Sequence, residues 1–193
     1  LYNMRFGTSY YPELVPEGDW ARDLDLMRAS GLDHLRLLDF AWTAIEPREG
    51  VYAWDWLDRF VDMAQARGFG LIMCTPTATP PAWLARQYPE IMLAGTDLRP
   101  RAWGNRREAD VESPIYRDFS AGIAAALGAR YGRHPAVLGW QLDNELVGSE
   151  LMLPVNHSRA GQWRFRAYLK RVHGDVATLN RRWGMRFWNQ EFS

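Results

Sequence analysis

Short apolar runs alternate along this chain with longer stretches of helical spacing. Met4 to Ser9 reads as a short strand, closed by Tyr10-Tyr11-Pro12-Glu13. Asp19 to Ala29 places Trp20, Leu24 and Met27, with Ala21 beside them, on one helical face. Asp19 stands where an N-cap belongs and Gly31 where a helix stops. His34 to Phe40, apolar at Leu35, Leu37 and Leu38, predicts a second strand. Asp55 to Arg67 predicts a second helix with Leu57, Phe60, Val61 and Ala64 inward, ended by Gly68. Gly70 to Thr75 is a third strand; Pro76, Pro80 and Pro81 interrupt it, and Ala82 to Gln87 forms a short helix. Residues 88–114 are polar and irregular, carrying Arg99, Arg101, Arg106 and Arg107. That is too long for a plain connection and predicts a functional loop. Ile115 to Tyr131 is an alanine-rich helix, Val137 to Leu142 a fourth strand, and Ser158 to Val172 and Val176 to Trp183 are helical.

The order is strand then helix, four times over. Strands this short and apolar suit a parallel sheet buried on both faces, so the fold class is α/β. The unusual polar residues follow the strands: Tyr10-Tyr11-Pro12-Glu13, Asp39-Phe40-Ala41-Trp42, Thr75 to Pro80, and Asn144-Glu145. In a parallel barrel all such ends share one face, where chemistry is done. A doubly wound sheet has the same alternation, but the segment after Ser9 lacks the glycines of a pyrophosphate loop.

Composition narrows the function classes. The 193 residues are 47% hydrophobic and 24% charged with zero formal net charge, which leaves no basic footprint for nucleic acid. No apolar run approaches the roughly 20 residues of a membrane span, and the N-terminus does not read as a signal peptide. A cytoplasmic location is therefore expected. The start at Leu1 suggests a natural start further upstream. Cys74 is the single cysteine, set in an apolar strand, so a thiolate metal cluster is excluded and a packing role is expected. Ten tryptophans are many for this size, and flat aromatic rings suit sugar faces. The four histidines are scattered without metal-ligand spacing, and no cofactor is called for.

The segment Gly139-Trp140-Gln141-Leu142-Asp143-Asn144-Glu145 is the most informative. A buried strand that ends in amide plus carboxylate can hold a sugar hydroxyl and hand a proton to a glycosidic oxygen. The same residues can also begin a plain surface turn. Neighbours in a regular strand point to opposite faces, so Asn144 and Glu145 can share a pocket only if the backbone is irregular at 143–146.

Tyr10-Tyr11-Pro12-Glu13, Phe40-Ala41-Trp42, Glu46-Pro47, the run Thr75-Pro76-Thr77-Ala78-Thr79-Pro80-Pro81-Ala82-Trp83-Leu84 and the Asn144-Glu145 pair resemble glycoside hydrolase family 42. The resemblance continues through Leu179-Asn180 and Phe187-Trp188. It implies a (β/α)8 barrel, of which this chain covers about the first four βα units, and a retaining β-galactosidase acting on small galactosides. It implies Glu145 as acid/base and Asn144 as the sugar-binding neighbour. Arg106 in Gly104-Asn105-Arg106-Arg107 would bind substrate, and Trp188 would wall the galactose pocket. A homotrimer is implied by analogy.

Two departures matter. Asp39 stands where the family usually has glutamate, so its reach to a hydroxyl is about one methylene shorter. Many members hold a structural zinc with cysteines after the arginine motif and after the Asn-Glu pair. Here those regions read Glu108-Ala109-Asp110-Val111-Glu112 and Leu153-Pro154-Val155-Asn156-His157, so no metal is expected. Retention needs a second carboxylate about 5–5.5 Å from the acid. In this clan it ends the seventh strand, which places it outside this chain, and the chain alone is expected to be inactive. Two other readings remain: a noncatalytic carbohydrate-binding half-barrel, and a barrel glycosidase with another sugar specificity.

Overall fold

The computed structural model describes residues 5–105, 108–145, 156–187 and 190–193. Among these, four strands form one parallel sheet: β1 Gly7–Ser9, β2 His34–Leu37, β3 Gly70–Cys74 and β4 Val137–Gln141. The spatial order β1-β2-β3-β4 follows the sequence order. A doubly wound sheet reverses direction at a switch point, whereas each new strand here is added on the same side, as in an arc of barrel.

Seven α-helices accompany the sheet among the described residues. They are α1 Trp20–Ala29, α2 Trp42–Ile45, α3 Asp55–Ala66, α4 Ala82–Gln87, α5 Pro114–Tyr131, α6 Arg159–His173 and α7 Val176–Trp183. Ser113 caps α5 by accepting from the Tyr116 amide, with Pro114 in the first turn where its missing N–H costs nothing. Ser158 and Asp175 cap α6 and α7 through the amides of Gly161 and Thr178. Asp19 does not cap α1: a 3-10 turn over Glu17–Asp19 runs directly into the helix, and its side chain pairs with Arg22 at 3.4 Å instead. Asp58 of α3 accepts from Arg130 and, at 2.7 Å, from Tyr131 Oη, which ties α3 to α5 and holds the Asp58 carboxyl below its usual range.

The core lies between the sheet and the helices. Leu35, Leu37, Leu71 and Met73 point into it, against Leu24, Phe60, Val61, Ala64, Ile123 and Leu127. The opposite face behaves differently. Burial alternates along β2 and β3, so His34, Arg36 and Ile72 are half-exposed. The expectation of strands covered on both faces holds for one face only among the described residues. Leu138 and Leu142, 50% and 76% exposed, add apolar surface beside β4.

β2 and β4 end earlier than the apolar pattern predicts, as β3 does by one residue. β2 stops at Leu37 because Leu38 takes φ 78°, and β4 stops at Gln141, two residues before Asp143 takes φ 61°. A left-handed L-residue costs about 1–2 kcal/mol, so both kinks need support from their surroundings. The β3–β4 register also slips between Leu71 and Ile72, leaving Leu138 as the extra residue. Gly70 makes room for it: a Cβ there would stand 2.2 Å from Leu138 Cδ1.

Candidate active site

One row across the sheet joins Ser9, Arg36, Ile72 and Gly139. Gly139 has no side chain, and Arg36 extends from β2 toward β4. Its Nη1 donates to Ser9 Oγ at 2.7 Å and its Nε to Gln141 Oε1 at 2.7 Å. Its Nη2 donates to Asn144 Oδ1 at 2.9 Å and to Asp39 Oδ1. One guanidinium thus links the tips of β1, β2 and β4. Its rigid fork of five donors explains why arginine, not lysine, suits the place.

The two left-handed kinks bring the polar residues to this hub. Leu38 precedes Asp39, which is wholly buried, and Asp143 precedes Asn144, which is 6% exposed. Glu145 follows with φ 46° and is exposed to solvent. The irregularity required for Asn144 and Glu145 to serve one pocket is therefore present. Asp39 and Asn144 meet through Arg36. Arg106 and Trp188 lie outside the described residues, as does the segment directly after Glu145.

Asp143 is held from β3. Its N–H donates to Thr75 Oγ1 at 2.7 Å, and its Oδ2 accepts from Thr77 Oγ1 at 2.9 Å. The Thr-Pro run that signals the family is here a support for the β4 tip.

Two further titratable groups, Glu13 and Cys74, lie within reach of the Asp39 charge. The Glu13 carboxyl is raised by burial, opposed by its own backbone N–H and reinforced by the charge of Asp39. Burial pushes the Cys74 thiol up to about 12, and the Asp39 carboxylate adds to that. The thiol therefore stays neutral in the folded chain and packs as a hydrophobe. Its folded value exceeds the unfolded one near 8.5, so its contribution to stability is intact below about pH 8.5 and is lost as pH climbs toward 12.

The tryptophans near the strand ends are structural. Trp42 is fully buried and donates to Glu46 Oε2 at 2.8 Å, while Trp83 donates to the Glu46 carbonyl at 2.8 Å. Neither indole N–H is free for a sugar. Trp103 is half-exposed, with its N–H fixed to the Pro80 carbonyl at 2.7 Å.

A hydrogen-bonded latch joins Asp110 to Asn156 and Ser158. Asp110 is fully buried, accepting from Asn156 Nδ2 at 2.6 Å, Ser158 Oγ at 2.5 Å and the Glu112 amide at 2.8 Å. A single carboxylate, an amide and a hydroxyl are a poor donor set for zinc, which takes thiolate or imidazole. Among the described residues no group of three or more His, Cys, Asp or Glu is arranged around a metal position. Asp110→Ala is expected to lower unfolding free energy by about 2–3 kcal/mol, by leaving the Ser158 and Asn156 donors unpaired. A chelator should leave the thermal midpoint of the parent protein unchanged. Differential scanning calorimetry with and without EDTA checks both.

Arg36, Gln141, Asp143, Thr75 and Thr77 escape a reading by apolar pattern. The available signal is Arg36 itself, a charge between two leucines in a strand, which marks a polar inner face.

No helix among the described residues is long and apolar enough to cross a membrane. The sequence model of glycoside hydrolase family 42, described as beta-galactosidase, matches residues 9–193. A beta-galactosidase from Thermus thermophilus is 40% identical over 186 residues, which is 96% of this chain and 28% of that protein. The crystal structure of beta-galactosidase from the psychrophilic Marinomonas ef1 superposes with TM-score 0.90 at 36% identity, over 98% of this chain and 28% of that one. The beta-galactosidase from the Antarctic haloarchaeon Halorubrum lacusprofundi gives TM-score 0.91 at 35% identity, again over 98% and 28%. The chain thus spans little more than a quarter of the length of the relatives it matches, and its four-strand arc is part of a TIM barrel. On these grounds the chain belongs to glycoside hydrolase family 42.

Proposed function

We propose that this chain is part of a retaining β-galactosidase that removes terminal β-D-galactosyl groups from small galactosides. Glu145 is the general acid/base. Asn144 binds the sugar beside the scissile bond, and Asp39, wholly buried behind it, fixes Arg36, which donates to the Asn144 side chain. Arg106 and Trp188 complete the galactose pocket. The observation that supports this best is the pair of kinks at Asp143 and Glu145, which frees two sequence neighbours from strand alternation at the rim where barrel enzymes do chemistry.

The second carboxylate is supplied by the part of the barrel that these residues do not cover. The other carboxylates at this rim are already engaged: Asp39 holds Arg36, and Asp143 holds Thr77 and the Asn144 amide. In the first step Glu145 gives its proton to the glycosidic oxygen as the leaving sugar departs and the second carboxylate bonds to the anomeric carbon. In the next, Glu145 takes a proton from water, which attacks that carbon and releases the carboxylate.

Proton NMR of the first product from the full-length enzyme tests the reading. The galactose released should appear first as the β-anomer and only later mutarotate, while residues 1–193 alone should give no product. First appearance of the α-anomer, or turnover by residues 1–193 alone, contradicts the scheme.

A further inference from the structure

We propose that Thr75 and Thr77 are positioning residues for the reaction: they hold Asp143 in the left-handed turn that sets Asn144 and Glu145 together at the tip of β4. The proposal rests on the assignment of Glu145 as acid/base.

A regular strand would send residues 144 and 145 to opposite faces. Asp143 at φ 61° and Glu145 at φ 46° prevent that. A non-glycine residue keeps such a conformation where its surroundings over-determine it, and Asp143 is engaged on every polar group. Its N–H donates to Thr75 Oγ1 and its Oδ2 accepts from Thr77 Oγ1. Its Oδ1 accepts from the Asn144 amide at 2.5 Å, and its carbonyl accepts from Gln141 Nε2 at 2.8 Å. The two bonds within the turn are local; the two threonine bonds tie it to the segment that follows β3.

The threonines are themselves anchored. The Thr75 amide donates to the Gln141 carbonyl at 3.0 Å, extending the β3–β4 ladder by one bond. The Thr77 carbonyl accepts from Tyr116 Oη, a buried side chain in the first turn of α5. Pro76 lies between the two and restricts the backbone there. Both threonine side chains are nearly buried. Loss of either hydroxyl lets the turn relax, and Glu145 moves relative to the glycosidic oxygen.

The test uses the full-length enzyme with Thr77→Val, which keeps the branched shape and removes the hydroxyl, and Thr77→Ser, which restores it. Two substrates are compared: lactose, whose leaving group needs a proton, and 2,4-dinitrophenyl galactoside, whose leaving group does not. Thr77→Val should lose about 10²-fold in kcat on lactose, the scale of a misplacement of order 1 Å. Its loss in the first step for the dinitrophenyl substrate, read from pre-steady-state release of the phenolate, should be about tenfold smaller. Thr77→Ser should stay within about threefold of the parent on both, because the donor is restored. Should Thr77→Val not fold, Thr75→Val, which removes only the acceptor of the Asp143 amide, must show the same dependence on leaving group.

Equal losses on both substrates, or none, overturn the proposal. Glu145→Gln measured alongside separates the two readings. If it shows the leaving-group dependence and the threonine variants do not, positioning fails while the acid/base stands. If Glu145→Gln itself lacks the dependence, the acid/base reading fails and the positioning role falls with it.

Discussion

Replacing Glu145 by glutamine in the full-length enzyme is expected to lower kcat on lactose by about 10³–10⁴-fold, toward the upper end of what general acid/base catalysis supplies. Glutamine keeps the size of the side chain and its exposed place at the β4 tip but has no proton to give. A substrate with a leaving group of low pKa bypasses the first need, so galactosylation by dinitrophenyl galactoside should fall far less. Its galactosyl-enzyme then waits for water that no base activates. A burst of phenolate followed by slow turnover is the expected time course. Azide, which needs no deprotonation, should shorten the wait and yield β-galactosyl azide. A uniform fall across both substrates with no burst would remove Glu145 from the acid/base role.

The same comparison bears on how the tip is built. Glutamine at 145 deletes the proton and keeps the scaffold, whereas valine at 77 keeps the proton and loosens the scaffold. The first should abolish nearly all assistance to a poor leaving group and the second only part of it. The order of the two losses on lactose is therefore as informative as their sizes.

Helices were legible in this sequence where their apolar face is long enough to repeat. Asp55–Ala66 matches the spacing of Leu57, Phe60, Val61 and Ala64 to within a residue, and Ala82–Gln87 and Val176–Trp183 match outright. Trp42–Ile45 was not legible, because one turn of helix has no period to detect. Strand ends failed for a sharper reason. Leu38 is apolar and buried like Leu37, so the run continues on paper, yet its φ of 78° ends the strand. Nothing in a leucine announces positive φ, unlike Gly31 or Gly68, which stop their helices as expected. At the site, Asn144 and Glu145 stand out because amide and carboxylate follow an apolar strand. The groups that hold them do not stand out. Thr75 and Thr77 are ordinary loop residues until β4 is laid beside β3, and Gln141 is only a polar residue in a strand until Arg36 reaches it across 105 positions of sequence. Contacts made between elements are set by topology, which local pattern does not encode.

Arg36→Met carries the largest expected effect on folding, a loss of about 3–5 kcal/mol. Methionine fills much of the arginine stem, so packing is largely kept and the change isolates the guanidinium. Without it the Asp39 carboxylate is fully buried with no cation beside it, and its Oδ2 already has no hydrogen-bond partner among the described residues. Gln141 Oε1, at 2.7 Å, loses its donor too. Breaking a buried pair from one side costs more than deleting the pair, because the remaining charge is left without compensation. The double variant Arg36→Met with Asp39→Asn should therefore recover most of the loss and lie within about 2 kcal/mol of the parent, since a neutral amide replaces the stranded charge. Equilibrium urea unfolding followed by tryptophan fluorescence reads all four corners of this cycle. A single Arg36→Met loss under about 1 kcal/mol, the level of an exposed ion pair, would show that the carboxylate of Asp39 is held by something other than Arg36. An additive double variant would show that the two side chains are not coupled, and the inner face of the arc would then need a different account of how the tips of β2 and β4 are kept together.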